Sequence, residues 1–475
     1  MEGKKEKVSR VGVFPRKSPS DFSVTNFPDI FQYSWRASHF VYDVCYSCDV
    51  SDECPLFSAV PNRPCQSLII PTDYIDLVNK KDGIGIYEIK KIWSKYSHGL
   101  NPYERIVNMS SRKISRAYFK LYEILCYFNI LKGNGEIPIR SLHLCEAPGG
   151  FVQACLDFFN KNVDWHAQTL YTETDIKIDP SLDVNRWVYN GDGNMYKLTN
   201  MIELYNKVGR VNLVTGDGGF DVSCNHNNQE QMSLRLIFCE FVMSLIVLEK
   251  GGCFVCKMFD SFTKPTVQML CIMKKYFGRV SLIKPRSSRY MNGEKFVVCM
   301  DFLGIEFGEL EYFKNTVDIW KDNEYCNDFN VSIRVIQKDI LKYNSFLSRH
   351  QSWYIDKAIQ LCKIESLQYL KALQVPQNKK ANLYCMTFGM IEKKNCSHKK
   401  KTAIQESVRD TAFSGASKAR DTVSNRADSV RDTVSNRADS VRDTEEAGES
   451  GFGSANVSVA GIYRCEECIE EFIIV

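Results

Sequence analysis

The chain has 475 residues, 44% hydrophobic and 25% charged, with a net charge of +4. That composition supplies material for at least one sizeable core and for about two to four domains, and it excludes a chain that is disordered throughout. The small net charge neither demands nor excludes a nucleic-acid partner, so any basic surface has to be local.

The opening MEGKKEKVSR lacks the apolar run of a secretory signal. The longest strongly apolar stretch, Phe241–Leu248, is far too short to span a bilayer. Nineteen cysteines, an odd number, without a signal predict free thiols in a reducing compartment. The expectation is a soluble intracellular protein, nuclear or cytoplasmic, with no membrane partner.

Residues 1–100 read as an irregular accessory region rich in aromatics, Pro and Cys. CYSCDVSDECP and a later Pro-Cys offer Cys45, Cys48, Cys54 and Cys65 as candidate ligands of a structural zinc. Only the first pair has regular Cys-x-x-Cys spacing, and free thiols packed in a small subdomain are the competing reading. Residues 101–305 alternate apolar strand runs with helical patterns. Strands are predicted at Leu142–Cys145, Ala167–Tyr171, Trp187–Tyr189, Val211–Thr215, Cys253–Lys257, Val280–Ile283 and Phe296–Phe302. Helices are predicted at Gly150–Phe159, Gln229–Leu248 and Thr266–Phe277. This alternation predicts an α/β fold, helices on both faces of a mostly parallel sheet, with ligands outside the carboxyl ends of the strands. Residues 306–392 read as a helical extension. From 393 to 475 a low-complexity tail carries RDTVSNRADSV in an 11-residue repeat. Its narrow apolar stripe fits about 3.67 residues per turn, which predicts a disordered or marginally helical segment.

SLHLCEAPGGFVQACLDFF reads as a strand, a Pro-Gly-Gly turn and a helix. Gly149 and Gly150 would allow close backbone approach to a ligand beside free helix N–H groups. The turn is neither G-x-G-x-x-G nor a Lys-Ser/Thr phosphate loop, so neither dinucleotide nor ATP binding is favoured. EAPGGF resembles the cofactor loop of the FtsJ-like ribose 2′-O-methyltransferases, which bind S-adenosylmethionine (SAM). LVTGDGGFDV, GGCFVCKMFDSFT and LIKPRSSRYMNGEKFVVCMDF are similar to the mRNA-cap branch of that family. SSRKISRAYFKLYEIL resembles its basic first helix. These motifs occur in the family's order over residues 105–305, which implies a Rossmann-like methyltransferase fold.

The resemblance implies that Glu146, Ala147, Pro148, Gly149, Gly150 and Phe151 line the methionine end of SAM. Asp217 belongs to the cofactor set as well as the catalytic one. Asp192, in YNGDGN, is a candidate acceptor for the adenine amino group, and Thr169 and Leu170 are further cofactor candidates. A departure from the pattern stands at Cys145-Glu146, where an aspartate is often found.

Lys120 falls on a predicted helix, Asp217 and Lys257 at strand ends, and Glu294 just before a strand. A ribose hydroxyl is a poor nucleophile at neutral pH, and a methyl sulfonium is already a strong electrophile. The protein has to position the two and remove a proton, and a lysine whose pKa is lowered by burial and cationic neighbours can act as that base. The family's Lys-Asp-Lys-Glu set, carried over by motif, is Lys120, Asp217, Lys257 and Glu294. Lys257 is the expected base, Asp217 its orienting partner, and Lys120 and Glu294 the positioning groups.

Arg112, Lys113 and Arg116 give one segment its positive charge, and Lys284, Arg286 and Arg289 cluster before the last strand. Both groups are candidates for gripping RNA phosphates. Tyr118 and Tyr290, interleaved with them, read better as packing residues than as stacking platforms. The resemblance thus implies methyl transfer from SAM to an RNA ribose 2′-OH, most specifically at the 5′ cap of mRNA, alongside other capping enzymes. Ribosomal or transfer RNA as substrate and a non-catalytic subunit of a capping complex are the alternatives. The oligomeric state stays open.

Overall fold

The computed structural model describes residues 41–44 and 57–390, with breaks at 62, 67, 110–112, 132–136, 172–176, 190, 220–225, 323 and 366. Arg112, Cys45, Cys48, Cys54 and the repeat-bearing tail lie outside the described residues. The chain opens with β1 (Val41–Asp43), β2 (Ser58–Pro61), α1 (Tyr74–Ile84), α2 (Tyr87–Leu100) and α3 (Ala117–Phe128). The alternating part follows: β3 (Ile139–Leu144), α4 (Gly150–Phe158), β4 (Val163–Gln168), β5 (Trp187–Val188), α5 (Leu198–Val208) and β6 (Val211–Gly216). Next come α6 (Gln229–Val247), β7 (Leu248–Met258), α7 (Lys264–Tyr276), β8 (Phe277–Ile283) and β9 (Lys295–Phe302). The last elements are α8 (Phe307–Ile319), β10 (Glu324–Asp328), α9 (Arg334–Ile364) and α10 (Leu367–Thr387).

Eight strands form one sheet in the order β1-β8-β9-β7-β6-β3-β4-β5. Neighbours from β7 through β5 are parallel, whereas β9, β8 and β1 run antiparallel to their partners. β3, β6 and the end of β7 are buried almost without interruption. Unbroken apolar burial is what a strand covered on both faces requires. The seven predicted strands are all present, and the three predicted helices stand within two residues of their expected bounds. α5 was not anticipated, because its amphipathic stripe is short.

α6 explains the thickness of the core. It is apolar nearly all round, so it cannot lie on the surface. Phe238 packs against Phe313, Trp320 and Phe329, with ring centroids 5.6–6.1 Å apart.

Residues before 101, expected to be irregular, contain two helices. α1 and α2 look weak locally because their apolar faces have partners only far along the chain. Leu77 and Ile84 pack with Phe262 and Ile355, and Ile89, Tyr96 and Leu100 with Ala358 and Leu361. β1 extends the main sheet along β8, and β2 pairs with β10. The segments flanking the alternating part therefore pack on it and on each other. Most of the described cysteines are buried. No group among the described residues could hold a metal ion, and Cys65 alone of the four zinc candidates is described. No described helix is long and apolar enough to cross a membrane.

Phe238→Ala should lower unfolding stability by about 3–5 kcal/mol, because its cavity opens inside an aromatic cluster that cannot collapse. Urea denaturation measures this, and a loss below about 1 kcal/mol contradicts the packing described.

Candidate active site

Strand order reverses between β3 and β6, where the chain departs to β4 on one side and to β7 on the other. Such a switch point opens a crevice outside the carboxyl ends of the strands. β6 ends at Gly216, so Asp217 is the first residue into the crevice, and its N–H donates to the Leu144 carbonyl at 3.2 Å. β7 places Lys257 one residue before its end. β9 runs antiparallel to β7, with Lys257 opposite Phe296 and Met258 opposite Lys295. The start of β9 therefore lies at the same end of the sheet, and Glu294 stands there. α3 brings Lys120 across to it. Strand register and the docking of α3 together collect four residues spread over 175 positions of sequence.

Lys120 Nζ donates to Glu294 Oε2 at 2.7 Å, and Ser288 Oγ donates to Glu294 Oε1 at 2.7 Å. Lys257 Nζ donates to the Asp217 main-chain carbonyl at 2.7 Å and lies 3.0 Å from Asp217 Oδ1. Burial pushes the Glu294 carboxyl up, but Lys120, Lys257 and the Ser288 hydroxyl outweigh it and hold the group down at about 2. Glu294 is thus ionised at neutral pH.

The charged neighbours that act most on Lys257 are carboxylates. Burial pulls its pKa down, yet the carboxylates of Asp217, Glu294 and Glu240 more than offset this and leave it above the ordinary lysine value. In the free protein Lys257 is an ammonium ion.

The loop after β3 differs in part from expectation. The Glu146 side chain turns to its own helix: Oε1 accepts the N–H groups of Phe151 at 2.7 Å and Val152 at 3.0 Å. A carboxylate there meets two unpaired donors and the positive end of α4. Burial raises its pKa well above the usual range, against the pull of those N–H groups. Phe151 is also a core residue, 6.1 Å from the Phe296 ring. Neither side chain lines the crevice. Gly149 has φ +116°, and a Cβ there would strike Leu182; a Cβ on Gly150 would strike Ser115 and come 3.1 Å from the Tyr118 nitrogen. Close packing of the protein on itself requires these glycines. Ala147 and Pro148 remain half-buried at the loop's outer edge.

The loops after β4 and β5 are joined. Tyr171 N–H donates to the Asp192 carbonyl at 2.8 Å, and Gln168 Nε2 donates to the Gly193 carbonyl. Gly193 has φ +67°, and a Cβ there would collide with the Thr169 carbonyl. Thr169 is buried, whereas Leu170 is 52% exposed. The Asp192 carboxylate accepts from Lys197 at 2.7 Å, the Asn194 N–H at 3.1 Å and Asn200 at 2.9 Å, which together hold it at about 2. An exposed apolar side chain beside a permanent carboxylate suits a purine carrying an exocyclic amino group. The Asp217 carboxylate, whose Oδ1 lies 3.0 Å from Lys257 Nζ, places a further acid at the crevice mouth. On these observations the residues present fit SAM.

The basic candidates divide. Lys284 is buried; its Nζ donates to the Asn292 carbonyl at 2.8 Å, Asn292 Oδ1 at 3.0 Å and the Glu294 carbonyl at 2.8 Å. It holds the turn that presents Glu294 and cannot grip a phosphate, which corrects the sequence expectation. Lys113 is tied to Asp157 at 2.7 Å and lies over the Tyr118 ring at 4.2 Å. Arg116 and Arg289 share the Glu104 carboxylate, at 3.4 and 3.2 Å. Two guanidiniums on one carboxylate leave net positive charge beside Lys120. Arg286 is half-buried, and its N–H donates to Glu123 Oε1 at 2.8 Å. Tyr118 and Tyr290 are buried packing residues, as expected.

Sequence reasoning missed Glu240, on α6, whose carboxyl lies under the Asp217 turn. Oε1 accepts the Gly218 N–H at 3.2 Å, and Oε2 accepts the Cys256 thiol at 3.0 Å. The signal present was a lone acid within the apolar run LIFCEFVMSLIV. An acid in such a helix has to be partnered.

The comparisons agree with this geometry. Residues 114–302 match the FtsJ-like methyltransferase family. The chain is 30% identical over 327 residues to cap-specific mRNA (nucleoside-2′-O-)-methyltransferase 2 of Pongo abelii, covering 61% of this chain and 40% of that protein. It is 29% identical over 225 residues to cap-specific mRNA (nucleoside-2′-O-)-methyltransferase 1 of Trypanosoma cruzi, covering 44% and 62%. It is 29% identical over 329 residues to the corresponding methyltransferase 1 of Mus musculus, covering 61% and 38%. The matched part thus spans only about two to three fifths of these relatives' own lengths. With the sheet order, the crevice and the family match together, residues 114–302 of this chain are an FtsJ-like methyltransferase domain.

Proposed function

We propose that this protein transfers a methyl group from SAM to a ribose 2′-OH of RNA, at the 5′ cap of mRNA. The observation that carries the reading is the pairing of Lys257 with Asp217 and of Lys120 with Glu294 at one mouth of the crevice. Bound SAM supplies the electrophilic methyl group on a positively charged sulfonium. Lys257 is the group placed to take the ribose hydroxyl proton, and it has to release its own proton first. A cation entering the crevice opposes the carboxylates that hold Lys257 protonated, so its pKa falls when the site fills. Lys120 and Glu294 fix each other and give the hydroxyl a donor and an acceptor. Arg116 and Arg289 are the proposed phosphate contacts, and Leu170 and Asp192 the proposed adenine contacts. Cap specificity is supported by the relatives, which are cap-specific mRNA (nucleoside-2′-O-)-methyltransferases.

Transfer of label from SAM to capped and uncapped RNA of one sequence tests the reading. Labelling that requires the cap is the expected result. Equal labelling of both would move the substrate to another RNA, and SAM binding without any labelling would favour a non-catalytic subunit. Lys257→Ala should lower kcat by about 10²–10⁴-fold, the usual worth of a positioned proton acceptor, with SAM affinity within a few-fold of the parent. Because Lys257 works only after losing its proton, kcat should rise with pH until the bound-state pKa is passed. A kcat that falls from pH 7 to 9, in protein that stays folded, contradicts the assignment.

A further inference from the structure

The TGDGG turn has a steric explanation on both sides. A Cβ on Gly216 would approach the Glu240 carboxyl at 2.7–2.9 Å, and one on Gly218 would come within 2.7 Å of Glu240 Oε1. A Cβ on Gly219 would lie 3.0 Å from Lys257 Nζ. The turn carrying Asp217 is therefore pressed between one buried acid beneath it and the candidate catalytic lysine above it. Glu240 bonds to the turn through the Gly218 N–H, to β7 through Cys256, and to the end of β3 through the Cys145 thiol. It joins the three strand ends that build the crevice, yet it touches neither the proposed cofactor nor RNA.

We infer that Glu240 is a positioning residue for the candidate catalytic lysine: it seats the Asp217 turn and, by its protonation, sets how much negative charge Lys257 faces. The inference rests on the reading of Lys257 given under Proposed function. The titratable groups acting on Glu240 or acted on by it are Cys145 from the end of β3, Cys256 and Lys257 from β7, Cys239 from its own helix, and Tyr196. Burial drives Glu240 up to about 7, while Cys256, Lys257, Cys145 and the Gly218 N–H act to lower it. Glu240 therefore exchanges a proton near neutrality. Ionised, it is a third carboxylate around Lys257, beside Asp217 and Glu294, and it favours the ammonium. Protonated, it keeps the hydrogen bond from Gly218 and relieves that charge, so the neutral amine forms at lower pH. The Cys145 thiol, whose pKa burial raises well above the usual value, adds no further negative charge beside Lys257.

The test uses the full chain and Glu240→Gln, which keeps an acceptor for Gly218 and removes the charge. Lysines carrying ¹³C at Cε are titrated by NMR in the free protein, with Lys257→Arg identifying the signal. The Lys257 midpoint should fall by half a pH unit or more in Glu240→Gln, a threefold change in its proton affinity. An unchanged midpoint in folded protein overturns the inference. The rise of kcat with pH should move to lower pH by the same amount. The NMR titration needs neither SAM nor RNA. A shifted midpoint in a chain that methylates no RNA at any pH would therefore sink the reaction and leave the coupling intact. Methylation with an unshifted midpoint would do the reverse.

Discussion

Two lysines and two carboxylates held out of water at one end of a sheet impose the constraint that shapes the rest of the molecule. A buried charge is costly unless it is paired and its remaining donors and acceptors are met. Lys257 meets this through Asp217, Lys120 through Glu294, and Glu294 further through Ser288. Each partner comes from a different element, so the pairs exist only when β6, β7, β9 and α3 are docked together. Lys284 supports them from behind, giving all three of its donors to the turn before β9. Burial lowers its pKa to about 7, with the Lys295 and Lys120 cations adding to the effect against the Glu294 and Asp260 carboxylates.

The flanking segments serve the same end of the sheet. Lys81 of α1 reaches Asp260, three residues beyond Lys257, at 3.0 Å. Asn344 of α9 bonds to Ser261, both to its hydroxyl and to its carbonyl, at 2.7 Å. The residues just after the candidate base are thus held by helices from both ends of the described chain. This is a physical reason for the accessory segments to pack as they do. They fix the loop that follows β7, on which the position of Lys257 depends.

Much of this was legible in the sequence. Strands covered on both faces are short apolar runs, and their ends give the crevice. Asp217 and Lys257 stand at such ends, so pattern alone places them correctly. Glu294 is placed by the antiparallel return of β9, which no local pattern shows. What stayed hidden depended on contacts distant in sequence. Lys284 reads as an exposed basic residue after a strand, because its three acceptors lie eight to ten positions away in a turn. Glu146 and Phe151 belong to a motif that suggests a ligand, yet the free N–H groups of α4 and the Phe296 ring claim their side chains first. The protonation of Lys257 was not legible in the sequence, because its charged neighbours come from distant positions. Three carboxylates, one of them on a helix with no recognised motif, decide it.

In the proposed reaction these pairs act on a ribose 2′-hydroxyl and on no other atom of the RNA. The most direct measurement compares methyl transfer from labelled SAM to a capped RNA with transfer to the same RNA carrying a 2′-deoxy sugar at the labelled nucleotide. The account predicts that both RNAs bind with affinities within a few-fold of each other and that labelling at that nucleotide disappears with the hydroxyl. Labelling that persists on the deoxy sugar would place the methyl on a base and contradict the account.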